Sequence, residues 1–258
     1  MAMYTMTTTK HITKHITKNI TKHTPMHTKL LSTRLHAITL PSTPSLNTER
    51  YEQHLADRAA PQVLICTGPA GTGKTMLACK HAVKHIIDKS FDKLIITRPN
   101  VSVEEELGYL PGSMEQKMSP WMIPLLEYLE HFSNRKTVQR YIDDGVIDIL
   151  PLGYMRGRTF DNTLVVADEM QNCTDNQMLN LLTRIGHDSK LVLTGDLSQC
   201  DLRSGHQNGL ESFVDKYDTY QLKEHNDLSD AIAHIHMDIE DVKRSAIVRT
   251  ILAIYDVV

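Results

Sequence analysis

The sequence predicts an α/β fold in which helices flank a mostly parallel sheet, and two patterns carry this prediction. From Tyr51 onward, short apolar runs alternate with longer segments of helical periodicity, which is typical of strand and helix units that feed a parallel sheet. A glycine-rich turn follows the first apolar run and leads directly into a helical segment. The chain has 258 residues, enough for one sizeable hydrophobic core, so we expect a single domain over residues 48–258.

The apolar runs set the expected strands and the periodic segments set the expected helices. The strands are predicted at residues 62–67, 93–97, 146–150, 163–168 and 190–196. The helices are predicted at residues 75–88, near 122–132, at 174–186, and at the C-terminus with Ile239, Val242, Ile247, Ile251 and Ile254 on its apolar face.

Local signals fix some of the expected helix ends. Pro120 and Pro124 are tolerable only around a first helical turn, so the second helix is expected to begin beside them. Thr174 and Gln177 have the spacing of a capping box at the start of the third helix, and Gly186 is expected to stop it.

Residues 1–47 form a basic segment, with six Lys or Arg and no Asp or Glu, and we expect it to be a disordered tail. It contains a four-residue repeat from Lys10 to His23, in which β-branched Thr recurs and no partner stripe is available to bury the isoleucines. Two interpretations stay open: a basic arm for nucleic acid, or a solvated tail, which could also be an extension upstream of a start at Met26.

Composition excludes several classes of protein. The apolar fraction of 41% and the charged fraction of 23% are ordinary for a globular protein rather than a fibrous or disordered one. No apolar run approaches the roughly 18 residues that a membrane-spanning helix needs, and the N-terminus lacks the apolar core of a signal peptide, so we expect a cytoplasmic protein without a membrane partner. The four cysteines form no C-x-x-C pair, and the fourteen histidines lack convincing metal-ligand spacing.

The segment GPAGTGKT matches the phosphate-binding P-loop pattern G-x-x-x-x-G-K-[ST]. It lies between a predicted strand and a predicted helix, where backbone N–H groups and the helix N-terminus can face a phosphate. Lys74 is expected to neutralise phosphate oxygens and Thr75 to bind Mg²⁺. The expected nucleotide-binding residues are Gly68, Pro69, Ala70, Gly71, Thr72, Gly73, Lys74 and Thr75.

Two further strand ends carry polar side chains that phosphoryl transfer can use. Asp168 and Glu169 end an apolar run, where open α/β sheets hold their ligands, so Asp168 is expected in the Mg²⁺ shell and Glu169 as general base. Gln199, in the segment TGDLSQ, is the candidate for contact with a γ-phosphate or the attacking water. The structural alternative for this third segment is a polar turn in which Asp196 caps a helix.

These three segments resemble motifs I, II and III of superfamily 1 helicases, and the chain as a whole resembles the PhoH family. The residues that carry the second resemblance are TRPNV (97–101), ELGYLPG (106–112), QKMSPW (116–121), YMRGRTF (154–160), DEMQN (168–172), LLTRIG (181–186), TGDLSQCDL (194–202) and EDVKRSAIV (240–248). The resemblance implies a RecA-like core, ATPase activity with ATP and Mg²⁺, association with RNA or single-stranded nucleic acid, and ring-like homo-oligomers. Relatives commonly carry a Gln able to read adenine near Asn47 to Tyr51, and here only Gln53 lies nearby. Some relatives append further domains, and this chain resembles the short phage versions, which implies a host-cytoplasm location.

The arginines within these family-like segments are candidates for an arginine finger or for nucleic-acid contact: Arg98, Arg156, Arg158, Arg184 and Arg244. A surface salt bridge or a helix cap is the alternative for each of them. A helicase engine closes ATP between two RecA-like lobes, and this chain has length for one lobe. Neighbouring subunits, in an assembly such as a hexamer, are therefore expected to supply the second wall of each site.

Three functions remain open from the sequence. The first is an ATPase coupled to RNA or single-stranded nucleic acid, by binding or by translocation. The second is a slow nucleotide-dependent switch that acts through protein partners without motor activity. A small-molecule kinase is the third, and it leaves DEMQN and TGDLSQ unexplained.

Overall fold

Helices and strands alternate along the chain in the computed structural model, which describes residues 44–99, 114–202, 208–223, 229–238 and 241. The α-helices are α1 (Leu46–Ala56), α2 (Lys74–Ile87), α3 (Met114–Phe132), α4 (Arg135–Asp143), α5 (Asp175–Leu182) and α6 (Gly209–Lys223). The strands are β1 (Val63–Thr67), β2 (Lys93–Arg98), β3 (Ile147–Pro151), β4 (Thr163–Ala167), β5 (Lys190–Gly195) and β6 (Ile232–His236). Short 3₁₀ turns lie at Leu152–Met155, Met170–Asn172 and Ser229–Ala231.

Within the described residues, six strands form one sheet in the order β3-β2-β4-β5-β1-β6, and every neighbouring pair runs parallel. All strands therefore end at the same edge of the sheet. We call this the carboxyl edge; it carries Thr67, Arg98, Ala167, Gly195 and His236. The opposite edge, where the strands begin, is the amino edge. Ligands of open parallel sheets bind at the carboxyl edge.

Both faces of the sheet are covered, which explains why its strands read as continuous apolar runs rather than alternating ones. In β4, Leu164 and Val166 point into one core, while Val165 and Ala167 point into the other. Side chains from α1, α2, α3 and α4 complete the first core. Side chains from α5, α6 and the turn at 152–155 complete the second. The predicted α/β class, with a parallel sheet flanked by helices, is confirmed.

The five predicted strands are all present, with ends that differ by a residue or so from the expected ones. Four α-helical or strand elements were not expected from the sequence: α1, α4, α6 and β6. Helix α1 begins at Leu46, so residues 46 and 47 belong to this helix and not to the tail. The rest of the predicted tail, apart from residues 44 and 45, lies outside the described residues, and so does the predicted C-terminal helix apart from Asp241.

Helix α3 corrects the sequence-based start near Met122, because it begins at Met114 and contains both prolines. A proline inside a helix removes a backbone hydrogen bond and costs about 3 kcal/mol. Burial offsets this cost: Met122, Leu125 and Leu129 of the same helix are at most 1% exposed in the first core. The prediction was wrong because tertiary packing outweighs local propensity here.

Helix α5 begins as predicted but ends earlier. Thr174 and Gln177 form the capping box, with the Thr174 hydroxyl accepting from the Gln177 backbone. The helix ends at Leu182, four residues before Gly186. Gly186 has a different role, since its N–H donates to the Phe160 carbonyl at 2.7 Å and a Cβ there would meet that oxygen at 2.5 Å. Close approach of two chain segments, and not helix termination, requires this glycine.

Candidate functional site

The P-loop connects β1 to α2 at the carboxyl edge of the sheet. Two of its glycines are required by the backbone. Gly68 has φ +140° and lies so close to β6 that a Cβ would stand 2.1 Å from the Met237 carbonyl oxygen. Gly73 has φ +90° at the N-terminus of α2, a left-handed conformation that only glycine adopts without cost. All eight predicted residues lie in this turn and the first turn of α2: Gly68, Pro69, Ala70, Gly71, Thr72, Gly73, Lys74 and Thr75.

The ammonium group of Lys74 lies inside the loop. Its Nζ donates to the carbonyl oxygens of Gly68 at 2.6 Å and Pro69 at 2.8 Å, and to the Thr72 hydroxyl at 3.3 Å. Burial lowers the pKa of Lys74, and nearby acidic groups, Asp196 and Glu169 among them, oppose that shift. The loop therefore holds a cation where the backbone N–H groups and the N-terminus of α2 favour an anion.

The carboxylate of Asp168 joins three elements of the carboxyl edge. It follows β4 directly and is 1% exposed. Its Oδ1 accepts hydrogen bonds from the hydroxyls of Thr75 and Thr194, both at 2.6 Å. The structure thus brings together Thr75 and Asp168, the two residues proposed from the sequence as magnesium ligands. Hydroxyl and carboxylate oxygens are the donors that Mg²⁺ takes from proteins, so the pair fits that ion.

Arg98 contacts the same carboxylate from β2. Its Nη2 and Nε lie 2.5 and 3.2 Å from Asp168 Oδ2, and Nη2 lies 3.7 Å from Glu169 Oε1. The Arg98 side chain is 14% exposed. Arg98 is one of the five arginines singled out in the sequence, and it contacts both Asp168 and Glu169 of the same chain.

Glu169 follows Asp168 in a left-handed backbone conformation with φ +55°. For a residue other than glycine this conformation costs on the order of 1 to 3 kcal/mol, and it recurs at functional sites. Its side chain is 44% exposed, so water reaches the carboxylate, while Oε2 accepts a hydrogen bond from Gln171 Nε2 at 2.6 Å. The turn thus presents a carboxylate that is oriented by a neighbour and open to solvent.

Gln171 is the site residue that sequence reasoning missed, although it stands within DEMQN. It is 2% exposed, and its amide bridges two segments: Nε2 donates to Glu169, and Oε1 accepts from the Asp196 backbone N–H at 3.1 Å. A Cβ at Gly195 would lie 2.5 Å from Leu210 Cδ2 and 2.9 Å from the same Gln171 oxygen, and these two contacts explain why that strand ends in glycine. The amide side chain and its place within DEMQN, two residues after Glu169, were the available signals.

The loop after β5 is attached to the turn that carries Gln171. Asn172 Oδ1 accepts from the Asp201 N–H at 2.8 Å, and the thiol of Cys200 contacts the Gln171 carbonyl oxygen at 3.3 Å. Gln199 lies in this loop with an exposed side chain, and its N–H donates to the Asp196 carbonyl at 3.1 Å. The structure therefore brings Gln199 to the carboxyl edge without bringing its side chain against Asp168 or Glu169.

The other arginines lie elsewhere. Arg158 Nη2 is 3.9 Å from Asp148, the second residue of β3, and Arg184 donates to the Arg158 carbonyl at 3.4 Å. Both therefore lie toward the amino edge: Asp148 is three residue levels, roughly 10 Å, from Asp168 along the strands, and β3 lies about 19 Å across the sheet from β1. Arg156 is exposed, and Arg244 lies outside the described residues. Within one subunit, Arg158 and Arg184 do not reach the P-loop.

A second polar cluster ties the N-terminus of α1 to the segment after β6. The hydroxyl of Thr48 donates to Asp241 Oδ1 at 3.2 Å, the Ser45 hydroxyl contacts the same oxygen, and Asn47 Nδ2 lies 3.5 Å from Asp238 Oδ2. Gln53 is exposed on α1 and lies outside this cluster. The cluster holds α1 beside the segment after β6, which contacts Gly68 through Met237.

Metal clusters built from side chains are absent from the part of the chain that the structure describes. Among those residues, no group of three or more His, Cys, Asp or Glu side chains is arranged to hold a metal ion. The helices in the same part of the chain include none that is long and apolar enough to cross a membrane.

Comparison with known proteins finds one family model and several curated relatives that are similar to this chain. A family model described as "PhoH-like protein" matches residues 43–256. The chain is 38% identical to a PhoH-like protein of Bacillus subtilis over 211 residues, covering 82% of this chain and 63% of the relative. It is 42% identical to a PhoH-like protein of Synechocystis over 164 residues, covering 64% of this chain and 50% of the relative. The chain thus spans about half to two-thirds of the length of these curated relatives.

One solved structure shares the fold at low sequence identity. The large terminase from a thermophilic bacteriophage superposes with a TM-score of 0.50 at 13% identity, covering 81% of this chain and 49% of the terminase. This likeness concerns the fold alone. The PhoH-like family model matches residues 43–256, which are most of this chain. The chain therefore belongs to the PhoH-like family.

Proposed function

We propose that this chain binds ATP with Mg²⁺ at the P-loop and hydrolyses it with Glu169 as general base. The observation that carries the proposal is the 2.6 Å hydrogen bond between Thr75 and Asp168, with the solvent-accessible Glu169 next in sequence. Three parts of a phosphoryl-transfer site, namely phosphate loop, metal ligands and base, thereby meet at one edge of the sheet.

Each residue has one task in the proposed reaction. Lys74 leaves the carbonyls of Gly68 and Pro69 and neutralises the β- and γ-phosphates. Thr75 and Asp168 would hold Mg²⁺, which would supply further neutralisation of the phosphate charge. Glu169 accepts a proton from water as the water oxygen bonds to the γ-phosphorus and the bond to the ADP oxygen breaks. The products are ADP and inorganic phosphate, and Gln171 keeps the base in position.

The direct test measures ATP hydrolysis and nucleotide affinity for two variants. Lys74→Ala should lose both, because the phosphates lose their cation. Glu169→Gln should keep nucleotide affinity and lose turnover by about 10²- to 10⁴-fold, the usual contribution of a general base. Lys84→Ala, an exposed lysine on the same helix, and Glu211→Gln, an exposed glutamate on α6, are matched controls. Wild-type turnover in both site variants would place the chemistry elsewhere.

The proposed partner of the ATPase is RNA or single-stranded nucleic acid. The support is the resemblance of three strand-end segments to helicase motifs, together with a physical link between them: Gln171 connects Glu169 to the loop at 196–201. A change at that loop can thereby reach the base. A panel of RNA and single-stranded DNA should raise turnover severalfold. If nucleotide instead changes assembly while nucleic acid leaves turnover unchanged, the chain is a nucleotide-dependent switch.

The proposed active form is a homo-oligomer in which a neighbour completes the site. Arg158 and Arg184 lie toward the amino edge, so an arginine finger from either of them could act only in trans. Arg156 is the exposed member of this group. Light scattering and turnover per subunit should rise together with protein concentration. A persistent monomer with constant specific activity would rule out this arrangement.

A further inference from the structure

Arg98 makes a contact that the proposed reaction does not explain. Two nitrogens of its guanidinium, Nη2 and Nε, lie 2.5 and 3.2 Å from one oxygen, Asp168 Oδ2. The other oxygen, Oδ1, is already engaged by two hydroxyls. The carboxylate expected to serve a metal ion is therefore surrounded by donors on both oxygens, and one of these donors carries a full positive charge.

The position of the guanidinium is equally specific. It lies between Asp168 and Glu169, with Nη2 3.7 Å from Glu169 Oε1. Asp168 is 1% exposed, and a buried carboxylate without a compensating cation is strongly destabilising. Arg98 supplies that compensation through its contact with Oδ2.

Mg²⁺ would bring a second positive charge to the same carboxylate. Two cations that share one buried anion repel each other, and a bound divalent ion is the larger local charge. The backbone of Arg98 is fixed, because this residue ends β2 in register with Pro151 of β3. The long side chain can move while its backbone stays in the sheet.

We propose that Arg98 is the resident counter-cation of the metal site and that Mg²⁺ with nucleotide exchanges it. On binding, the guanidinium leaves Asp168 Oδ2 and stays with Glu169 and the incoming phosphates. Arg98 thus competes with the metal for Asp168 in the nucleotide-free protein and is displaced in the loaded one. This inference rests on the proposed function, since it concerns the same magnesium site.

Competition predicts that removal of the charge tightens metal binding. The test titrates Mn²⁺, a paramagnetic substitute for Mg²⁺, into nucleotide-free protein and follows free Mn²⁺ by electron paramagnetic resonance. Arg98→Gln keeps a hydrogen-bond donor without the charge, and it should bind Mn²⁺ about tenfold tighter than wild type, within the range typical of coupled sites. Arg98→Lys keeps the charge and should stay within about threefold of wild type.

Thr194→Val is the matched control. It removes a donor to the same carboxylate, on Oδ1, without a change in charge. Its Mn²⁺ affinity should equal or fall below that of wild type. Arg98→Gln affinity at or below the wild-type value would overturn the proposal, because Arg98 would then orient the carboxylate rather than compete for it. Equal tightening in Arg98→Gln and Thr194→Val would overturn it as well.

A second measurement observes the side chain itself. The Nε–Hε resonance of Arg98, assigned by its loss in Arg98→Lys, should shift when Mg²⁺ and ADP are added together, and not with ADP in the presence of a chelator. An unshifted resonance in protein that has bound Mg²⁺ and ADP would overturn the exchange while leaving the proposed function intact. Failure of the proposed function has a separate readout, since nucleotide binding and ATP turnover are measured on the same samples.

Discussion

The hydroxyl of Thr75 lies 2.6 Å from Oδ1 of Asp168, although 93 positions separate the two residues in the chain. One belongs to the first turn of α2 and the other follows β4, on a strand that is not adjacent to β1 in the sheet. Their hydrogen bond connects the first turn of α2 to the carboxylate that follows β4.

Replacement of Thr75 by Val should weaken Mg²⁺-dependent nucleotide binding by roughly 10- to 100-fold, the range for loss of a group that holds or orients a metal ligand. Thr75→Ser keeps the hydroxyl and should bind like wild type. A fluorescent ADP analogue, titrated with and without Mg²⁺, measures both. The same loss in the absence of Mg²⁺ would show that the hydroxyl serves the fold and not the metal.

Replacement of Gly68 by Ala should destabilise the protein by about 1 to 3 kcal/mol. The new Cβ would stand 2.1 Å from the Met237 carbonyl oxygen, and φ is +140°. Gly153→Ala is the control, since a Cβ there meets nothing within 4 Å. Chemical denaturation of both variants checks the difference. Equal stability of the two would mean that β6 moves away from the P-loop at little cost.

Replacement of Gln171 by Leu should lower kcat by roughly 10²-fold, because a displaced base loses its geometry. Nucleotide affinity should change little, since Gln171 contacts no residue of the P-loop among its described hydrogen bonds. Gln177→Ala is the control: it breaks the capping box of α5 at a cost of about 1 kcal/mol and should leave kcat unchanged. Steady-state ATPase assays and calorimetry separate kcat from affinity. An unaltered kcat in Gln171→Leu contradicts the bridge between the two motifs.

The protein should lose stability as the pH falls through the titration range of His234. Burial lowers the pKa of this ring below its ordinary 6.5; Asp218 opposes the shift and His236 adds to it. Between the folded pKa and 6.5 the unfolded chain binds more protons, so stability from this group is complete above 6.5 and is lost below it. Denaturation midpoints between about pH 5 and 7.5 should fall less for His234→Gln than for wild type. Parallel curves for the two proteins would show that the ring titrates alike in both states.

The central sheet is predictable from the sequence because strands that are buried on both faces appear as continuous apolar runs. Val63, Leu164 and Leu191 each stand in a continuous apolar run that no helical period fits. In a parallel sheet the residues that follow these runs lie at the same edge. The proximity of Asp168 to the P-loop therefore follows from the positions of the apolar runs. The sequence therefore predicted the types of the candidate site residues and their place at the carboxyl edge of the sheet.

The parts that were not predictable depend on tertiary contacts. Strand β6 carries His234 and His236, whose rings both contact the Thr67 hydroxyl, so its apolar signal is interrupted. The contacts of Gln171 and Arg98 follow from which strands become neighbours, and strand order is not written in local periodicity. The prediction that Gly186 ends α5 was wrong for the same reason, because its contact with Phe160 depends on tertiary structure.

The contact of β6 with β1 bears on how the protein is made. Thr67 and His236 are neighbours in the sheet but are separated by 169 positions in the chain. At about 5 to 20 residues per second, a ribosome needs roughly 10 to 30 s to deliver the second after the first. For that interval the nascent P-loop has no strand against Gly68, and β1 presents an open, apolar edge to its surroundings. Biosynthesis therefore completes the proposed nucleotide site only after this interval, during which the growing chain most needs protection from aggregation.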